Sequence, residues 1–219
     1  MTVRTASLWG TPPSRYYQLL RRVEADKRVR LAVAIVGCSD GKFVLPAARR
    51  GHSVVAIDVD GTALFGGVKM GPEGETLMPG LVRRLEAEQL TGHVEVIHAD
   101  FVEVNFQRQF DLILTSGALQ YSRNMSHSME IMVTKLQVLV GCEGYFYADY
   151  MLPLAAEHVG RDNYADRSRW STFFLTNDWK VHYNRVLPPV FERAHVDLPR
   201  DHYHHWGHIL AQRVVSHER

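Results

Sequence analysis

The sequence predicts an α/β protein: a doubly wound, mostly parallel seven-stranded sheet with helices on both faces and a C-terminal antiparallel hairpin. Three observations predict it. Leu31 to Val36 is an unbroken apolar run, the pattern of a parallel strand buried on both faces. Further strand-like runs alternate with helical stretches, which implies parallel pairing through right-handed crossovers. Near the end, Val190 to Leu198 and Tyr203 to Val215 flank Pro199-Arg200-Asp201 and read as a hairpin.

The elements follow in order. Met1 to Pro13 reads as an irregular arm, and Ser14 can cap a helix to Asp26 with Tyr16, Leu19, Leu20 and Val23 on one face. That helix covers a sheet edge, or Tyr16 or Tyr17 closes over a ligand. After the first strand comes the turn Gly37-Cys38-Ser39-Asp40-Gly41, a helix stopped by Gly51, and a second strand from Ser53 to Asp58. Asp60 can cap a short helix. The Gly- and Pro-rich piece 66–80 then reads as a loop insertion, a lid or a tolerated extra. Leu81 to Leu90 is an amphipathic helix, and Val94 to Ile97 and Phe110 to Leu114 are the third and fourth strands. A helix from Met129 to Val140, a turn at Gly141 to Gly144 and a fifth strand from Tyr145 to Tyr150 follow. Asp178 to Tyr183 reads as a short helix ahead of the final hairpin.

A chain of 219 residues is long enough for one sizeable core, and a single domain over 1–219 is expected, with 1–28 as its arm and first helix. A net charge of +1 without a basic stripe argues against nucleic acid as partner. Two cysteines, Cys38 and Cys142, supply neither a disulfide framework nor a zinc knuckle. No apolar run reaches the roughly 18 residues of a membrane span, and the first residues lack an apolar leader. Cytoplasm is therefore the expected location, with no membrane partner; the sequence assigns no oligomeric state.

An acid closing the second strand of such a unit commonly binds ribose hydroxyls, which makes Asp58, with Val59 beside it, a nucleoside-binding candidate. Dinucleotide folds need Gly-x-Gly-x-x-Gly to approach a pyrophosphate. Here Ser39 holds the second glycine position and Lys42 the third, and Asp40 would oppose a pyrophosphate. A cationic sulfonium nucleoside tolerates that carboxylate better.

Five motifs in this order resemble the class I S-adenosylmethionine-dependent methyltransferases. Gly37, Cys38, Ser39 and Gly41 stand in the glycine-rich turn, and Asp58 at the ribose acid. Asp100 and Phe101 stand in the turn that meets adenine. Ser116 and Gly117 follow the fourth strand, whose end lines the transfer site, and Gly141-Cys142-Glu143-Gly144 precedes the fifth. The resemblance implies S-adenosyl-L-methionine as cofactor and a small-molecule acceptor with an O, N or S/chalcogen atom. The tail, ending Gly207-His208-Ile209-Leu210-Ala211-Gln212-Arg213, is similar to that of the tellurite-resistance and related small-molecule methyltransferases. Two positions depart from the pattern: Ile35 replaces an acid, and Ser39 replaces a glycine. If Ser39 adopts positive φ, strain of about 1–3 kcal/mol follows.

A hydroxyl or ammonium acceptor needs a base. His204 and His205, with Tyr121 after the fourth strand, are the catalytic candidates; Tyr16, Tyr17, Tyr121 and Tyr150 are the candidates for binding the acceptor. On one strand, His202, His204, Trp206 and His208 would share a face. That cluster binds acceptor, binds metal or is a polar strand face, and no metal ligand is assigned. Trp170, Phe173, Phe174, Trp179 and Trp206 fit a planar acceptor or a sheet core. Cys38 presents its backbone to the ligand rather than acting as a nucleophile. Two other readings stay open: a non-catalytic methyltransferase-fold binding or partner subunit, and a nicotinamide-dependent enzyme.

Overall fold

The computed structural model describes residues 7–27, 30–71, 74–121, 127–154, 156–158, 164–194 and 200–214. It comprises two compact units, Met1–Val104 with Arg193–Arg200 and Asn105–Glu192 with Asp201–Arg219. In the first unit the elements are α1 (Ser14–Lys27), β1 (Ala32–Val36), α2 (Val44–Arg49), β2 (Ser53–Asp58), α3 (Gly61–Phe65), β3 (Gly67–Gly71), β4 (Gly74–Met78), α4 (Gly80–Ala87) and β5 (Val94–His98). In the second they are β6 (Phe110–Ser116), α5 (Ala118–Tyr121), α6 (Met129–Leu139), β7 (Val140–Met151), α7 (Arg167–Thr172), β8 (Trp179–Val186), β9 (Val190–Glu192), β10 (His202–His204) and β11 (Trp206–Arg213). The main sheet has the strand order β5-β2-β1-β6-β7-β11-β8.

In the first unit, β1 and β2 pair in parallel from Ala32 opposite Ser53 to Val36 opposite Ile57, and β2 pairs in parallel with β5. Burial explains the unbroken apolar pattern: Val33, Ala34, Ile35 and Val54 to Ile57 are all nearly inaccessible. Helix α1 buries Tyr16, Leu19, Leu20 and Val23. The piece 66–80 is not a loop. It is a two-stranded antiparallel hairpin, β3 with β4, in which Lys69 Nζ bonds Asp60 Oδ2. Glycines at its ends misled the sequence reading, because they accommodate positive φ while the segment between them is extended.

In the second unit, β6 and β7 run parallel, and β11 pairs antiparallel with both β7 and β8. The expected C-terminal antiparallel pair is present, but its members differ. Trp179–Val186 is a strand, not the helix expected over 178–183; it pairs along β11 with a register shift between Leu210 and Ala211, and it buries Asn184 while Val181 is exposed. Of the expected strand over 190–198, Val190–Glu192 is a strand that pairs with His202–His204 in a separate ribbon, and 195–198 lie outside the described residues. Gly141 to Gly144 lies inside β7, with a register irregularity between Phe110 and Leu112 and Glu143 at φ +56°.

Of the aromatic residues singled out in the last third, Trp170 and Phe174 are core, while Phe173, Trp179 and Trp206 are partly exposed. Trp170 is fully buried and stacks on Tyr150 at 4.7 Å, and Phe146 meets Phe174 at 5.1 Å. Among the described residues, no helix is long and apolar enough to cross a membrane.

Candidate active site

The first unit builds its site at the carboxyl ends of β1 and β2, where open α/β sheets bind ligands. The turn after β1 folds back on β2: Gly37 N and Cys38 N both donate to Ile57 O, at 2.9 and 3.1 Å. Gly37 and Gly41 take φ +69° and +93°. The φ of +93° at Gly41 is one that L side chains rarely adopt, so a substitution there is strained, and its Cβ would also push aside the methyl ends of Leu45 and Leu81.

Asp58 holds this turn from the opposite side. Its Oδ2 accepts from Ser39 N at 2.7 Å and its Oδ1 from Asp60 N at 2.8 Å. A carboxylate offers about four lone-pair positions, so capacity remains for a ligand's hydroxyls. Burial raises the Asp58 pKa, opposed by the amides of Asp60, Ser39 and Val59, while the Asp60 charge adds to the rise. Val59 is partly exposed, and its carbonyl meets His98 Nε2 at 3.1 Å. Asp100 follows β5; its Oδ1 accepts from Val102 N at 3.0 Å, and Phe101 beside it is buried.

Ser39 adopts φ +46°, the conformation that sequence reasoning set as the condition for strain. Its amide bond to Asp58 and the hydroxyl bond it receives from Trp9 Nε1 at 2.7 Å hold it there. Ile35 is buried in β1 opposite Ala56 and serves the core where the family pattern has an acid.

Asp40 is a correction. It does not face an incoming ligand, because its side chain is wholly buried. Ser7 Oγ donates to Oδ1 and Leu8 N to Oδ2, both at 2.6 Å, and Arg84 Nη1 stands 3.6 Å from Oδ1. Ser7 to Trp9, read as part of an irregular arm, are thus clasped to the turn. No local pattern announces bonds that span more than 30 residues of chain.

Cys38 is buried, and burial pushes its thiol well above the ordinary range, with the Asp58 charge adding to the effect. A buried thiol of this kind is a poor nucleophile. In the native protein, Cys142, which is exposed, should react with a thiol reagent within minutes while Cys38 stays protected. Titration with a chromogenic disulfide should count one reactive thiol before denaturation and two after it. Two fast thiols in the native state would contradict the burial of Cys38.

The second unit places polar groups at the carboxyl ends of its parallel strands. Ser116 and Asp149 are register partners on β6 and β7, and Asp149 is opposite His208 on β11. Asp149 is buried; its Oδ2 accepts from Ser116 Oγ at 2.9 Å and its Oδ1 from Tyr147 Oη at 2.6 Å. Gly117 N donates to Asp149 O at 3.0 Å. From sequence, Asp149 falls at the end of the fifth strand, where this fold places its ligands, and His208 belongs to the C-terminal histidine cluster.

The tyrosines divide. Tyr16 is buried and donates to Phe43 O at 2.5 Å, so it belongs to the core of the first unit and does not close over a ligand. Tyr17 is half-buried against the Tyr16 ring. Tyr150 is fully buried and donates to Asn184 Oδ1 at 2.5 Å. Burial pushes its phenol up to about 12, so it is a neutral donor and no base. Tyr121 ends α5, and its side chain lies outside the described residues.

The histidine cluster spans two strands. His202 and His204 lie on β10 with ring centroids 4.5 Å apart, and the His204 ring meets Trp206, the first residue of β11, at 5.5 Å, so these three side chains lie together as expected. His205 stands between the strands with its carbonyl accepting from Leu152 N at 2.7 Å, and His208 is buried in β11 against the Tyr183 ring.

Seven strands with the sixth and seventh exchanged and the seventh antiparallel depart from the purely parallel dinucleotide-binding order. Solved structures with this arrangement superpose over most of the chain. TehB from Haemophilus influenzae aligns with TM-score 0.63 and 12% identity, covering 92% of this chain and 62% of that one. This is the class I methyltransferase fold. Magnesium protoporphyrin IX methyltransferase from Synechocystis PCC 6803, with bound SAM, aligns at TM-score 0.61 and 12% identity, covering 91% of this chain and 78% of that one. The N-methyltransferase NodS from Bradyrhizobium japonicum WM9, with S-adenosylhomocysteine, aligns at TM-score 0.57 and 16% identity, covering 91% and 86%. No family model and no curated protein sequence matches the chain. The chain spans less than two thirds of the TehB chain, and at these identities the methyltransferase fold is what the likenesses share.

Proposed function

We propose that this protein is an S-adenosylmethionine-dependent methyltransferase acting on a small-molecule acceptor. The observation that carries the reading is Asp58: a partly buried carboxylate at the end of β2, held by the amides of Ser39 and Asp60 and with capacity left for ribose hydroxyls. Gly37, Cys38, Ser39 and Gly41 would carry the methionine part, and Val59, Asp100 and Phe101 the adenosine. Solved structures of this fold hold SAM or S-adenosylhomocysteine, which supports the assignment. A net charge of +1 without a basic stripe supports a small acceptor over nucleic acid.

Methyl transfer from a sulfonium is an in-line displacement with a good, neutral leaving group. The protein's main task is alignment. A hydroxyl or ammonium acceptor must also lose a proton, and a positioned base contributes roughly 10²–10⁴-fold. Asp149 lies near the carboxyl end of β7, opposite Ser116 at the end of β6, with Ser116 and Tyr147 fixing its orientation; His204, His205, Tyr17 and Tyr121 are the remaining candidates to meet the acceptor.

Titration calorimetry with S-adenosylmethionine and S-adenosylhomocysteine tests the reading. Micromolar binding of either is expected, and no binding at millimolar concentration would overturn it. The second reading, a non-catalytic binding subunit, is favoured by one feature, the buried Ile35 in place of an acid. Absence of binding to these ligands and to nicotinamide cofactors would select it.

Affinity should also depend on pH. Only ionised Asp58 accepts two hydroxyls, and burial raises its pKa. Binding should therefore weaken on acidification at a pH above the ordinary aspartate range. The sign for folding is opposite: a raised pKa in the folded state favours the protonated form, so this group's stabilising contribution is present at low pH and lost as pH rises through that pKa. Calorimetry between pH 4 and pH 8, with Asp58→Asn as the control that should lack this dependence, checks both the sign and the residue.

A further inference from the structure

β9 and β10 form an antiparallel ribbon in which His202 is directly opposite Glu192 and His204 is opposite Val190. Residues two apart on a strand share a face, and so do directly opposed residues. His202, His204 and Glu192 therefore converge. The two Nε2 atoms lie 2.9 Å apart, and Glu192 Oε2 is 2.8 Å from His204 Nε2 and 3.6 Å from His202 Nε2. Among the described residues, this is the one group of three ligand-type side chains whose donor atoms all fall within 4.8 Å of one another.

Hydrogen bonding alone accounts poorly for this triangle. Each Nε2 bears either a hydrogen or a lone pair, and a carboxylate only accepts. If His204 Nε2 carries the hydrogen, that hydrogen must serve Glu192 and the His202 lone pair together. If His202 Nε2 carries the only hydrogen, the His204 lone pair faces carboxylate oxygen at 2.8 Å. A cation at the centre satisfies all three atoms at once.

Spacing and donor type identify the cation. Ligands at about 2.0–2.1 Å from a tetrahedral zinc ion are about 3.3 Å apart, and the observed separations of 2.8, 2.9 and 3.6 Å bracket that value. Two imidazoles and one carboxylate suit zinc, copper, nickel or iron, whereas magnesium and calcium prefer all-oxygen sites. We propose that Glu192, His202 and His204 bind one divalent transition-metal ion, zinc fitting best, and that it clamps β9 to β10. Three protein donors leave a fourth position for water or for a ligand's donor atom. The 43% exposure of the Glu192 side chain keeps that position reachable.

The test uses the full chain, stripped with a chelator and titrated with Zn²⁺ against a chromogenic chelator, with Co²⁺ as a spectroscopic probe. One zinc per chain, a tetrahedral cobalt spectrum and a zinc-dependent rise in melting temperature are expected. His204 is buried, so His204→Ala also removes packing; His202→Asn and Glu192→Gln alter more accessible groups and are the decisive variants. Each should weaken zinc binding by at least about 10-fold while leaving the far-ultraviolet circular dichroism unchanged. Zinc affinity and the cobalt spectrum unchanged in both variants would place the metal on other histidines and overturn the proposal. Absence of stoichiometric binding to the wild-type chain would do the same.

Discussion

Replacing Asp58 with alanine should reduce affinity for S-adenosylhomocysteine on the order of 10²–10⁴-fold, from the loss of two hydrogen bonds to a charged group at about 1.5–3 kcal/mol each. The substitution has a second effect. Asp58 also accepts from Ser39 N and Asp60 N, so its removal frees the turn that would hold the methionine part. Asp58→Asn separates the two roles. Its amide oxygen can still accept from one backbone N–H, while its NH₂ group meets hydroxyls as a donor and lacks the charge. Both variants should fold, with Asp58→Ala binding about 10²–10⁴-fold more weakly than wild type and Asp58→Asn losing less. Wild-type affinity in Asp58→Ala by calorimetry would remove Asp58 from the site and with it the main support for a nucleoside ligand.

Asp40→Ala should be the most damaging change to stability near the turn, at about 3–5 kcal/mol, the usual cost of removing one partner from a buried ion pair. Ser7 Oγ and Leu8 N would lose their acceptor, and Arg84 would keep a partly buried charge without its carboxylate. Burial already lowers the Arg84 pKa, and Asp40 is the leading influence opposing that shift. The double variant Asp40→Ala/Arg84→Met should recover part of the loss, because no unpaired cation then remains. Urea denaturation of the three proteins checks this order. A loss below about 1 kcal/mol for Asp40→Ala would mean that the clasp contributes little.

Local patterns carried much of this fold. Apolar runs announced β1, β2, β6 and β7 because strands buried on both faces cannot alternate. Glycine punctuation located the turn after β1, and Asp58 was legible because it ends an apolar strand. The lettering of 66–80 and 178–183 was ambiguous: glycine ends hid a hairpin, and 178–183 is too short for its period to separate helix from strand.

By itself, then, the sequence determined the α/β class, the order of its principal strands and the acid at the end of β2. Those properties follow from side-chain periodicity and turn chemistry within a few neighbouring residues. Only the tertiary structure decided that Asp40 clasps the arm, that Asp149 collects Ser116 and Tyr147, and that the histidine cluster spans two strands. It also decided that Tyr16, Tyr150 and Trp170 are core. Each depends on which strands become neighbours and in which register, and a shift of one residue in register reverses the face that every side chain presents.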